Sequence, residues 1–509
     1  MNQANKNFVT NVLHLIVNVL VGLIYTPYLV KNVGIVAYGV VPLALVINQY
    51  INVISLSLVN ALTRFYSIEY RGGNFKKASS YFTTSVFVCI LFAIFLYPIL
   101  HIGIAYIDRI FDIPTDLLID AEWLFRFTIS AFFISIISNC INTTLFADNL
   151  LDYANYTKIA RQLSKVLINI GLFVLLGNNI CYIGIANLAS ELIVLLMSIY
   201  YFYKTKPQYI KFSLRLYRKD FLYSLLGMVV WVLVQRFADT FLYKVDSFLM
   251  NVYFGIKMTG IIGATSEFGT YVTSIAGVLS SLFSPLLLIA YSKRIYSDYR
   301  EMTVEGAYIV GLFSGLLCGM LCGSASILLS LWLGDDFSSY GLWMILKLVV
   351  VPYMTVGSIF SNSYMYANYN KWPALVSLGI AVLNVSIIIL ILHIWNSVLL
   401  FLVVCMVFIL LQALLMNILF YNYLNPGQLR RIGLLIFKFT LYMFLIYGLT
   451  YLCVLYVSID SLVQLLLFYA LVFILGIVIL DCLFMTHTQR QLLFKIVPVY
   501  KKIRCWLIR

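Results

Sequence analysis

Charge is what this sequence has least of. Asp, Glu, Lys and Arg make up 11% of its 509 residues, where a soluble domain carries about 25%. Hydrophobic residues take 62%, and the mean hydropathy is +0.96. That balance excludes a soluble enzyme, a nucleic-acid-binding domain and a disordered scaffold. Other absences narrow the chemistry. There is no Gly-x-x-x-x-Gly-Lys-Ser/Thr phosphate loop, so ATP is not hydrolysed by that route. There is no His-Glu-x-x-His, and the four His and nine Cys suggest no metal site and no other cofactor. Cys318 and Cys322 stand one helical turn apart in an apolar segment and read as small packing residues. No cleavable signal peptide is expected, because the stretch Phe8 to Val30 is long enough to span and no small-residue cleavage site follows it.

What is present is one apolar run after another. A helix crosses the bilayer core with about 20 apolar residues. Fourteen such segments are expected, at 8–33, 36–60, 81–107, 121–147, 157–177, 180–203, 221–254, 259–290, 303–332, 341–368, 372–395, 396–422, 434–457 and 460–485. The fold class is therefore an all-α polytopic membrane protein whose connecting loops are too short to hold a globular domain. Most of the 34 Lys and Arg fall on one side. They include Arg64, Arg71, Lys76 and Lys77 after segment 2, six residues between Lys204 and Lys219, and the basic tail at 486–509. Lys158, Arg161 and Lys165 are expected in or beside the loop between segments 4 and 5. Acids such as Asp108, Asp112, Asp116, Asp335 and Asp336 fall on the other side. By the positive-inside rule both termini lie in the cytoplasm, so the net charge of +14 is topology rather than a nucleic-acid footprint.

An internal repeat organises the chain. Gly34-Ile-Val-Ala-Tyr-Gly39 recurs 221 residues later as Gly255-Ile-Lys-Met-Thr-Gly260, and the same offset sets Tyr50 on Tyr271 and Ile54 on Ile275. Six helices per copy keep their orientation, giving two parallel six-helix lobes, 1–220 and 221–424. Segments 13 and 14 (425–485) read as an addition to that twelve-helix core. Transporters built from such halves bind substrate between them, near mid-membrane.

The offset also aligns two polar stripes. In segment 1, Asn11, His14, Asn18, Gly22 and Tyr25 share one face; their counterparts are Val232, Gln235, Asp239, Tyr243 and Asp246. Arg236 joins Asp239, Tyr243 and Asp246 on one side of segment 7. Charge within the bilayer is costly and normally faces a bundle interior or a wet cavity. Arg236 either pairs with Asp239 and neutralises it, or binds an anionic substrate group while Asp239 orients it. Lys244 and Lys347 either snorkel outward or join the same cavity. Arg126 has Glu122 one turn away as a partner. Glu191 and Glu267 have no partner on their own helices. Each is either a proton-coupling group or a neutral hydrogen-bonding residue, Glu191 leaning to the latter. His14 reads as a hydrogen-bonded core residue on the polar stripe.

Several short motifs resemble one family. Tyr25-Thr-Pro27-Tyr-Leu precedes Gly34 and the Tyr38-Gly39 turn; Arg64-Phe-Tyr-Ser-Ile-Glu69 precedes Gly72-Gly73-Asn74; and Asp246-Ser-Phe-Leu-Met-Asn leads to Gly255 and Gly260. In these the chain resembles the Wzx-type polysaccharide flippases of the multidrug/oligosaccharidyl-lipid/polysaccharide exporter superfamily. The resemblance implies a V-shaped cavity between two lobes and alternating access in a bacterial inner membrane. The implied substrate is an undecaprenyl-pyrophosphate-linked oligosaccharide, moved to the outer leaflet for O-antigen or capsule assembly beside polymerase and glycosyltransferase partners and membrane lipids. It implies a substrate contact at Arg236 and an inner gate at Arg64 and Glu69. The polar stripes and the charges within segments add Lys244, Lys347, Gln235, Tyr243, Asn18, His14 and Tyr25 as candidate substrate contacts, and Asp239, Asp246 and Glu267 as candidates for proton or sodium coupling. One departure is expected: the polar face of segment 1 carries no charge beyond neutral His14, so the first lobe should contribute little cationic character. A multidrug exporter of the same superfamily is the alternative.

Overall fold

The computed structural model describes residues 3–496 apart from 148, 149, 206–211, 214, 215, 293, 368 and 370. Lys206, Lys211, Arg215, Lys293 and the tail beyond 496 lie outside the described residues. The described chain is helical throughout, with no strand. In order the helices are Gln3–Tyr38 (α1), Val40–Arg71 (α2), Phe75–Ile104 (α3), Leu118–Ala147 (α4), Leu151–Leu176 (α5), Cys181–Thr205 (α6) and Lys219–Ser292 (α7). There follow Tyr296–Gly323 (α8), Ala325–Leu333 (α9), Gly341–Val349 (α10), Val351–Tyr366 (α11), Lys371–Trp395 (α12) and Val398–Leu410 (α13). The last are Asn417–Leu424 (α14), Leu429–Tyr456 (α15), Leu462–Ile479 (α16) and His487–Ile496 (α17). Each of the fourteen expected segments falls on helix. Among the described residues, 11 stretches are long and apolar enough to cross a membrane.

The repeat is visible in the backbone. α1 breaks at Gly34 (φ 82°, ψ 158°) and α7 breaks at Gly255 (φ 81°, ψ 175°), a conformation that only glycine enters without strain. The same 221-residue offset links the starts of α3 and α8, Phe75 and Tyr296. Just past the two breaks the copies meet reciprocally. Gly39 lies against the backbone carbonyl of Ile256, and Gly260 lies against that of Ile35, where an added methyl would stand 2.6 Å from the oxygen. Pro42 packs on its own counterpart, Gly263.

The chain divides into two compact units, residues 1–263 and 264–509. In the first, α5 packs on α1 and α6, α4 on α6 and α2, and α3 on α2 and α4. Gly184 of α6 sits against the Leu124 backbone, which brings α6 and α4 together. The first half of α7 belongs to this unit. Asn251 donates to the Asp112 carbonyl (3.3 Å) and accepts from the Asp112 amide (2.9 Å).

In the second unit, α8 is the central helix. Its glycines Gly311, Gly315, Gly319 and Gly323 recur every fourth residue, and α15 lies on them through Phe439, Met443, Ile446 and Thr450. The unit's core includes Ile432, Phe439, Tyr442, Val472 and Leu480 from α15, α16 and the turn after it. Segments 13 and 14 are thus part of the second unit's core, not an addition laid on a finished bundle. Beneath them, Glu305 pairs with Arg431 and accepts from Gln489 (2.6 Å), while Arg490 pairs with Asp481 (3.2 Å). Cys318 and Cys322 are both buried in α8, as packing residues would be.

Candidate functional site

α1 has two unlike faces. Val9, Leu13, Ile16, Leu20 and Ile24 recur at helical spacing and are exposed, as side chains meeting lipid must be. The polar residues Asn7, Thr10, His14, Asn18 and Tyr25 lie on the opposite side. They meet α5 in a ladder of contacts. Asn7 accepts from the Asp152 amide (3.1 Å), Asn155 donates to Thr10 (3.2 Å), and Gln162 donates to Asn18 (2.7 Å). Higher up, the Lys165 ammonium stands 5.6 Å from the centre of the Tyr25 ring, and Tyr28 stacks on Phe173. The polar stripe of segment 1 therefore pairs with a helix in its own lobe.

The structure corrects one expectation about this lobe. Lys158, Arg161 and Lys165, at the start of the expected segment 157–177, stand inside α5 at i, i+3 and i+7. At 1.5 Å per residue they are roughly 10, 15 and 21 Å from the start of the helix. They project opposite the exposed stripe of Leu163, Leu167 and Val174, and so away from lipid. The first lobe is therefore strongly cationic, contrary to the reading from segment 1 alone. In the second copy the same register on α12 holds Gly379, Val382 and Ser386, all neutral. Glu191 finds its cation outside its own helix. Its partner is on the neighbouring helix, where Arg161 Nε lies 2.6 Å from Oε1 and a terminal nitrogen donates to Oε2 at 3.0 Å. Three cations against one carboxylate give this face a net charge of two.

The remaining candidates are dispersed. Arg236 is exposed on α7, and among the described residues no ion pair joins it to Asp239, which is half-buried. Gln235, Tyr243 and Lys244 are half-buried on the same helix, and Asp246 is buried, accepting from the Ser247 amide (2.7 Å). Glu267 lies in the second unit and is half-buried, as is Lys347 on α10. Arg126 pairs with Glu122 at 3.5 Å, as the spacing indicated. Glu69 accepts from Asn74 (3.0 Å), while the Arg64 side chain lies outside the described residues. Among the described residues no group of His, Cys, Asp and Glu could hold a metal ion.

No family model matches the chain. It is 26% identical over 388 residues to EpsK, an uncharacterized membrane protein of Bacillus subtilis (strain 168), which covers 74% of this chain and 75% of that one. Two solved structures share its fold. An inward-facing multidrug resistance MATE family transporter of the MOP superfamily superposes with a TM-score of 0.65 at 13% identity, covering 85% of this chain and 98% of that one. The lipid II flippase MurJ, in an inward closed conformation, superposes with a TM-score of 0.61 at 14% identity, covering 94% and 99%. The fold is the two-lobed one of these transporters and flippases.

Proposed function

We propose that this protein flips a polyprenyl-pyrophosphate-linked oligosaccharide from the cytoplasmic to the outer leaflet of a bacterial inner membrane, for surface polysaccharide assembly, with both termini cytoplasmic. The observation that carries the reading is the cationic face of α5. Lys158, Arg161 and Lys165 stack over two turns inside a spanning helix, beside the amide and phenol groups of Asn18, Gln162 and Tyr25. A net charge of two complements a pyrophosphate diester, and amide and phenol groups suit sugar hydroxyls. The extent of the fold likeness supports the same reading, since the flippase structure spans 94% of the chain against 85% for the multidrug transporter. An inside-negative potential favours outward movement of an anionic headgroup by about 2.3 kcal/mol per charge per 100 mV. Any added ion coupling would fall to Asp239, Asp246 or Glu267.

The test is reconstitution into liposomes with a fluorescent polyprenyl-pyrophosphoryl sugar, flipping being read by quenching from one side. Arg161→Ala with Lys165→Ala removes two charge-assisted contacts of about 1.5–3 kcal/mol each, so the rate should fall by roughly tenfold or more. Unchanged flipping by a stably folded double variant would overturn the assignment. Export of a small molecule is a second reading, favoured by the TM-score of 0.65 to the multidrug transporter. Transport of cationic dyes in place of the lipid would establish it.

A further inference from the structure

Glu191 holds Arg161 much as a phosphate would. A terminal guanidinium nitrogen donates to Oε2 at 3.0 Å and Nε stands 2.6 Å from Oε1, so the carboxylate occupies the side of the guanidinium that a phosphate would take. The fork cannot serve both anions at once. Among the described residues no other cation forms an ion pair with Glu191, although Lys165 acts on it through space. On α5, Lys158 and Lys165 flank Arg161 by about a turn on either side, and Lys165 lies over Tyr25. α1 contributes His14 and Asn18, the latter bonded to Gln162. On α6 one turn before Glu191, Asn187 donates to Thr128 of α4, while the charged pair of α4, Arg126 and Glu122, is closed on itself.

We infer that Glu191 is a built-in competitor for the anionic headgroup: the headgroup displaces it from Arg161, and the freed carboxylate takes up one proton. The inference rests on the anionic-headgroup reading above and supplies its coupling. A carboxylate left in a low-dielectric site without its cation reverts to the neutral form. The proton comes from the solution facing the open site, binds a Glu191 oxygen, and leaves when the headgroup departs and the pair re-forms. Headgroup binding therefore strengthens as pH falls, by at most about tenfold per pH unit for one proton.

The experiment uses the full-length protein in detergent with geranyl-pyrophosphoryl-N-acetylglucosamine, a diester chosen because its phosphates do not titrate across the measured range. Calorimetric titration in two buffers of different ionisation heat counts the protons taken up. The wild type should take up close to one proton per ligand and bind more tightly in mildly acidic than in mildly alkaline buffer. Glu191→Gln should bind roughly tenfold tighter in alkaline buffer, with no proton uptake. His14→Gln should keep the uptake, which separates Glu191 from the histidine of the cluster. If Glu191→Gln binds no tighter, still takes up a proton, or if His14→Gln abolishes uptake, the competitor assignment is overturned. Should Glu191→Gln elute aggregated, Glu191→Asp replaces it; its shorter reach weakens the grip and should still tighten ligand binding, and equal or weaker binding overturns the proposal. Failure of the headgroup reading looks different: the probe then binds neither wild type nor Glu191→Gln, or binds Arg161→Ala as well as wild type.

Discussion

Arg161 and Arg236 are both guanidinium groups on membrane helices, but their surroundings differ. Arg161 is tied to Glu191 across two helices, whereas Arg236 is exposed with no ion pair to Asp239 among the described residues. Truncating Arg161 leaves a carboxylate without its cation, so Arg161→Ala should lower thermal stability by about 1–3 kcal/mol, the pair being only partly buried. Arg161→Ala with Glu191→Ala should restore stability without restoring flipping, and Arg236→Ala should change stability little. Thermal unfolding followed by tryptophan fluorescence checks all three, and equal losses at Arg161 and Arg236 would show that Arg236 has a structural partner. Arg236 stood out in the sequence because it interrupts an apolar run. Arg161 did not, because it stands near the start of segment 157–177 among Asp152, Lys158, Gln162 and Lys165, where basic residues read as flanking the loop before it. The signal was the helical spacing of Leu163, Leu167 and Val174 opposite the charges. An overall hydropathy reading averages the two faces and loses it.

Among the elements, the contact of α8 with α15 shows what a repeat cannot reveal. Judged by the 221-residue offset, the last two spanning segments have no counterpart and read as an appendage. The four glycines of α8 tell otherwise, since small residues at every fourth position let helix backbones approach in a membrane, where packing rather than the hydrophobic effect drives association. Those glycines are in the sequence, but the partner that fills them lies more than a hundred residues on, and no local pattern names it. A methyl at Gly319 would stand 2.6 Å from the Met443 carbonyl oxygen, whereas nothing lies within 4 Å of one at Gly448. Gly319→Leu should therefore destabilise by about 1–3 kcal/mol or more through overpacking, and Gly448→Ala should be neutral. Thermal unfolding of the purified variants measures this, and a Gly319→Leu protein as stable as wild type would mean the helices are not closely packed. For the same reason, deleting everything after Leu424 strips the second unit of part of its core.

At the scale of the molecule, hydrophobicity and the paired glycines made the helices and their order legible, because the bilayer admits few other solutions for a chain so poor in charge. They did not mark where one compact unit ends. The repeat divides the sequence near 220, but the first unit runs to Gly263, because the opening half of α7 is held there by Asn251 on Asp112 and by Phe248 edge-on to Phe111. This gives synthesis a direction. A ribosome delivers residues 1–263 to the membrane before any of the second unit exists, so the first unit can close on its borrowed helix while translation continues. A chain ending at Gly263 should resist protease in native membranes, and one ending at Asp220 should be cut near the uncovered Phe111. Equal susceptibility of the two would mean that the borrowed helix docks only after the whole polypeptide has been made.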